Sequence, residues 1–269
     1  MNDAQQRARN YFWRFVVAEV RKIYDFRFPQ IASVAIFLAT VLFVYQIFYI
    51  EGVAERYSVP NAYYAVPLLF YVTWGKTLLI FLLLVAFSVY CVTVESQYGM
   101  IRVLCAQPLE RWQYVAGKYA AILCHVVWLT VIYVLSLLIW GTAQAGLHGI
   151  TADQLLSLFN MFGRVLIYSL GVSTISISVA LLRKTMISAL VTTCGVFFAL
   201  ALLTTYRSME FGKYYFIRYY LMGMEYLPMP FRFEFPRYPF STFCWVTLVT
   251  CLIFVLPALL YMHRRDITE

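Results

Sequence analysis

The chain has 269 residues, 62% of them hydrophobic and 13% charged, with a formal net charge of +8. Several apolar runs approach the roughly 20 residues that one helix needs to cross a bilayer, which excludes a soluble globular domain whose helices alternate polar and apolar faces. The cationic excess is read as a membrane orientation signal and not as a nucleic-acid-binding surface, because no basic low-complexity arm accompanies it.

In chain order, residues 1–30 are polar and basic, and no cleavable signal is expected because the first apolar run has the length of a true span. Within this segment "RNYFWRFVVAEVRKIYDF" puts Phe12, Phe15, Val16, Val20 and Ile23 near one helical face and Arg14, Arg21 and Lys22 elsewhere. This pattern predicts a helix lying in the headgroup layer, with an ordinary juxtamembrane basic flank as the alternative. Six spans follow: Ile31 to Ile50, Thr77 to Val94, Tyr119 to Trp140, Gly163 to Leu182, Met186 to Thr205 and Phe240 to Met262. The second, "TLLIFLLLVAFSVYCVTV", has no charged face at all, so its periodicity does not separate lipid-facing from buried sides. One side of these spans holds 13 lysines and arginines and the other 6, which places both termini and residues 95–118 in the cytoplasm. On the far side, residues 206–240 contain 13 aromatics with Pro228, Pro230, Pro236 and Pro239, and predict short helices on or dipping into the outer leaflet before the last span. The fold class is therefore an all-α integral membrane protein, a single transmembrane domain over residues 1–269.

The longest polar interruption on the cationic side is "ESQYGMIRVLCAQPLERWQYVAGK", Glu95 to Lys118. Glu95 and Ser96 can cap a short amphipathic helix carrying Met100, Ile101, Val103 and Leu104 beside Gln97 and Arg102. Pro108 forces Gln107 out of helical geometry and suits the first turn of a second helix, which runs through Glu110, Arg111 and Lys118 into the third span. The outcome is an elbow with a partly apolar knob held below the membrane.

These residues resemble the cytoplasmic loop of permease subunits of type-two ABC exporters, in which an acidic residue, a glycine, an apolar turn, a proline and a glycine-lysine pair lead into the third of six spans. The resemblance implies that this loop is a coupling helix gripped by an ATP-binding subunit, with Glu95, Gly99, Ile101, Leu104, Pro108, Arg111, Gly117 and Lys118 filling the pattern. Met100 stands where threonine or serine is common and Arg102 where an acidic residue is common, so the partner's surface is expected to differ accordingly. The competing reading is an amphipathic loop resting on lipid without a partner.

Other residues offer candidate sites. Gly75, Lys76 and Thr77 do not make a phosphate loop, because the position that requires its first glycine is Phe70. With no phosphate cradle, catalytic motif or metal-ligand spacing, the chain is expected to be non-catalytic and free of cofactors, with ATP and Mg bound by a partner. Lys76 and Arg164 fall near the outer hydrocarbon boundary, where snorkelling is the expected behaviour and a cleft attracting an anionic substrate group is the sharper alternative. Ser169, Ser173 and Ser176 form a small polar stripe in the fourth span, expected to serve helix packing, with a translocation wall as the alternative. His125 and Gln46 are expected to hydrogen-bond to neighbouring helices. Cys91, Cys105, Cys124, Cys194, Cys244 and Cys251 lack disulfide or zinc spacing and are read as small apolar residues.

The resemblance thus implies a multi-pass permease of the inner membrane that pairs with a second permease copy, identical or not, and binds two ABC ATPase subunits to export a substrate. One alternative is a force-transmitting subunit acting on an extracytoplasmic partner docked on 206–240. Another is a membrane scaffold with no ATPase.

Overall fold

The computed structural model describes residues 3–25, 27–45, 65–66, 79–97, 111–146, 148, 150–183, 185–206 and 240–264. Among them every regular element is helical: α1 (Asp3–Asp25), α2 (Phe28–Tyr45), α3 (Leu79–Gln97), α4 (Arg111–Ala145), α5 (Ala152–Leu182), α6 (Met186–Tyr206) and α7 (Phe240–Arg264). By length and hydropathy, stretches of α4, α5 and α7 each suffice to cross a membrane, and α1 with α2 forms a pair bent by 55° that passes the same test together. Phe81–Glu95 and Met186–Ala199 are shorter apolar helices.

The bend has a local cause. Arg27 adopts a left-handed backbone with φ 56°, and its amide closes back onto the carbonyl of Tyr24 at 3.2 Å. That ends α1 as a left-handed residue after a helix commonly does, and Pro29, which needs no amide partner, then sits in the first turn of α2. The apolar face of α1 is not left to lipid. Phe15, Val16 and Ile23 are buried, and α1 packs along α4. Its outer face instead exposes Trp13, Val17 and Tyr24 beside Arg14 and Arg21.

The core is organised around α5, which packs against α3, α4, α6 and α7. Two helices exceed their expected spans. The 35 residues of α4 measure roughly 52 Å, well beyond the ~30 Å hydrocarbon thickness. α5 starts at Ala152, eleven residues before the expected Gly163, because Thr151 and Gln154 form a reciprocal capping box that nucleates the helix early. α7 is the most peripheral of the long helices, with Trp245, Leu248, Val249, Leu252, Ile253, Leu256 and Leu260 exposed in the manner of a lipid-facing surface.

At the far end of α4, Gly141 gives passage to the segment at 65–66. A Cβ on Gly141 would lie 2.5 Å from Val66 Cγ2 and 3.4 Å from its amide nitrogen, and both Ala65 and Val66 are wholly buried. Gly141→Ala is therefore expected to destabilise the protein by about 1–3 kcal/mol of overpacking, less the ~1 kcal/mol that alanine gains over glycine within a helix. Adding Val66→Ala, which removes the clashing methyl, should recover most of the loss in a thermal melt of the purified protein.

Candidate functional site

The two described ends of the 95–118 stretch come together against the N-terminal helix. Glu95 leaves the last turn of α3, Lys118 projects from the first third of α4, and both meet Glu19 and Lys22 of α1. Lys118 Nζ bonds Glu95 Oε1 and also Glu19 Oε2, while Lys22 Nζ bonds the same Glu95 oxygen. Lys22 lies 3.8 Å from Glu19 one turn back on its own helix. The second Glu95 oxygen accepts the Tyr114 hydroxyl at 2.9 Å. Two carboxylates and two ammonium groups thus balance, and three of the four are almost fully buried: Glu19 at 3% exposed, Glu95 at 1% and Lys118 at 1%.

Packing around the quartet explains the neighbouring residues. A Cβ on Gly117 would lie 2.6 Å from Phe15 Cε1, so only glycine lets the ring of α1 settle against α4 at this level. Phe15 is not free to swing aside, since its ring packs on Tyr114 with centroids 5.9 Å apart. One turn towards the start of α4, Phe12 stacks on Trp112 at 6.5 Å. The glycine-lysine pair is therefore a docking seat for α1, with Gly117 providing room and Lys118 charge.

Burial alone would raise the Glu95 carboxyl. Lys118, through charge and hydrogen bond, and Lys22 outweigh that effect and hold it below its ordinary value. The expected role of Glu95 as a helix cap is corrected here, because α3 continues through Gln97 and the carboxylate turns to the ammonium groups instead. Sequence reasoning missed Glu19, Lys22 and Tyr114. A signal for Glu19 was present: Phe15, Glu19 and Ile23 are spaced i, i+4, i+8, which puts a carboxylate in the middle of an apolar stripe.

Gly99, Met100, Ile101, Arg102, Leu104 and Pro108 fall outside the described residues, as do Lys76, Gln46, Cys105 and the side chain of Arg111, whose backbone opens α4. Arg164 is buried and does not snorkel outward. Its Nε donates to Asn160 Oδ1 at 3.1 Å, and its guanidinium sits 5.7 and 5.8 Å from the ring centroids of Phe240 and Phe243 on α7. Ser169, Ser173 and Ser176 are fully buried in α5. The hydroxyls of Ser169 and Ser176 donate to carbonyls one turn back, at 2.8 and 2.7 Å, and Ser173 has no partner among the described residues. His125 donates from Nδ1 to the carbonyl of Ala121 in its own helix at 2.9 Å, where a bond to a neighbouring helix was expected. No group of side chains that could hold a metal occurs among the described residues.

A polytopic helical membrane protein with a charge-clamped loop base after its third helix is the class that this geometry defines. Residues 29–223 match the sequence model of the ABC-2 family transporter proteins, and the chain belongs to that family. It is a multi-pass membrane component of a transporter, of a family whose permeases generally work with an ABC ATPase. No curated protein and no solved structure matches it.

Removing one partner of a buried ion pair strands the other, at a cost of about 3–5 kcal/mol. Lys118→Met leaves Glu19 and Glu95 sharing only the half-exposed Lys22 and is expected to cost towards that range, whereas Lys22→Met, at the rim with Lys118 still on Glu95, should lose far less. Thermal melts of the two variants decide this. A group whose carboxyl is depressed stabilises above its unfolded value, so the gap between wild type and Glu95→Gln should be full at neutral pH. It should close as pH falls below about 4, the ordinary glutamate range.

Proposed function

We propose that this chain is the permease subunit of an ABC exporter, a six-span inner-membrane protein with cytoplasmic termini. In this reading it pairs with a second permease copy and binds two ATPase subunits, one on each 95–118 loop. The observation that carries the reading is the Glu19, Lys22, Glu95 and Lys118 quartet in a chain of this family. A loop that a motor pushes needs a base that does not yield, and the buried charges provide one where a flexible connection would absorb the stroke.

On this reading α2, α3, α4, α5, α6 and α7 are the six spans, and α1 lies at the cytoplasmic interface. ATP and Mg bind in the partner, because the chain has no phosphate cradle of its own. Closure of the ATPases around ATP moves the 95–118 loop, with Met100, Ile101, Arg102 and Leu104 as its contact residues. The movement tilts α3 and α4 and shifts the dimer between inward-open and outward-open states. Arg164 and the stripe of Ser169, Ser173 and Ser176, together with Lys76, are proposed as substrate-path residues. For Ser173 the support is a buried hydroxyl with no partner among the described residues.

The test is co-purification with a co-expressed ABC ATPase from the same host. An apolar anchor at the centre of an interface contributes about 2 kcal/mol or more, so Leu104→Asp is expected to reduce ATPase retention roughly 30-fold while leaving the permease's melting temperature unchanged. Undiminished retention, or isolation of the wild-type protein from its native membrane with no nucleotide-binding chain, defeats the proposal.

A further inference from the structure

We propose that α1 is part of the transmission path, with Glu19 and Lys22 acting as positioning residues that carry movement of the 95–118 loop into the N-terminal helix and on to α2. The inference rests on the reading of that loop as the ATPase contact, and extends it to an element outside the matched family region, which begins at residue 29.

Four observations converge on it. Both ends of the loop are bonded to α1, Glu95 by Lys22 and Lys118 by Glu19, so neither end can shift without pulling on the same helix. The Lys118–Glu19 bond is buried and the Lys22–Glu95 bond half-buried, so parting the first would strand a carboxylate away from water. Alongside them, Phe15 against Gly117 and Tyr114, and Phe12 against Trp112, fasten the helix laterally over more than one turn. Finally, α1 is joined to α2 by the short connection 26–27, in which Arg27 is left-handed, so a rotation of α1 changes the direction in which the first apolar helix leaves it. A helix floating passively on lipid would need its apolar face for the bilayer, and here α4 occupies that face.

The experiment is hydrogen–deuterium exchange on the complex of permease and ATPase in lipid nanodiscs, without nucleotide and with ATP plus vanadate. In the wild type, nucleotide should change exchange in peptides from α1 together with those from α3 and the first third of α4. In Lys22→Gln and Glu19→Gln, read on complexes that retain the ATPase, the response of α1 should be lost while that of α3 and α4 persists. Lys22→Gln is the safer variant for folding because its side chain is 29% exposed. Lys22→Arg, which keeps a cation on Glu95, should keep the α1 response, a rescue by charge that a role in packing alone would not require. A wild-type response confined to α3 and α4, or an α1 response indifferent to the variants, overturns the inference and leaves the coupling reading intact. A wild-type complex with no response in α3 or α4 overturns the coupling reading and the inference together.

Discussion

Four charges placed where water is scarce govern how this end of the molecule is built. Moving an ammonium or a carboxylate out of water costs several kcal/mol, and the cost is offset only when opposite charges sit close and their remaining hydrogen-bonding positions are filled. Glu95 meets both conditions, with Lys118 and Lys22 on one oxygen and Tyr114 on the other. Because its partners come from α1 and α4 while it comes from α3, three elements distant in sequence have one mutual placement that satisfies all the charges. Apolar packing alone tolerates sliding; a buried, balanced quartet does not.

The rest of the bundle supports this arrangement through α5. Its serines, together with Thr174, occupy the faces that its neighbours press against, and most of their hydroxyls are satisfied by carbonyls of their own helix, which lets them behave as small residues in a close-packed interior. Tyr119 ties α4 to α5 by a 2.7 Å bond to Ser178 just beyond the quartet. At the opposite end Arg164 sits against the first turn of α7 through Phe240 and Phe243. The helix that opens at the loop base is thus fastened to the central helix near one end, and the central helix to the last one near the other. A displacement at the loop base therefore has a packed route through the bundle.

The apolar helices were legible because membrane-length runs of Leu, Val, Ile and Phe leave few other structures open to the chain. Their extents were not. Thr151 and Gln154 are a capping pair three residues apart, but they stand outside the apolar run, so the first eleven residues of α5 read as a connection. Glu95 was legible as a residue that matters and not in its role, since a carboxylate following an apolar run suits a cap as well as an ion pair, and only the arrival of α1 decides between them. Glu19 shows the same limit: its place in an apolar stripe says that it needs a partner, but the partner lies 99 residues further along. Arg164 failed for a related reason. Counting residues from a span end gives its depth, whereas its surroundings depend on how α7 approaches α5.

The seating of α1 also determines what it offers the bilayer. With Phe15 and Val16 turned to α4 and Ile23 buried, the outward side keeps Trp13, Val17 and Tyr24 next to Arg14 and Arg21. Amphipathic rings beside long cationic stems suit the headgroup zone, where an aromatic body can lie among acyl ends while guanidinium groups stay hydrated. One helix thus meets protein through a charge-centred apolar face and exposes an aromatic and basic one. The two faces make different demands on its rotation about its own axis. Turning α1 about its axis would drag Glu19 and Lys22 away from Lys118 and Glu95, so the quartet sets the rotation and the exposed face follows from it.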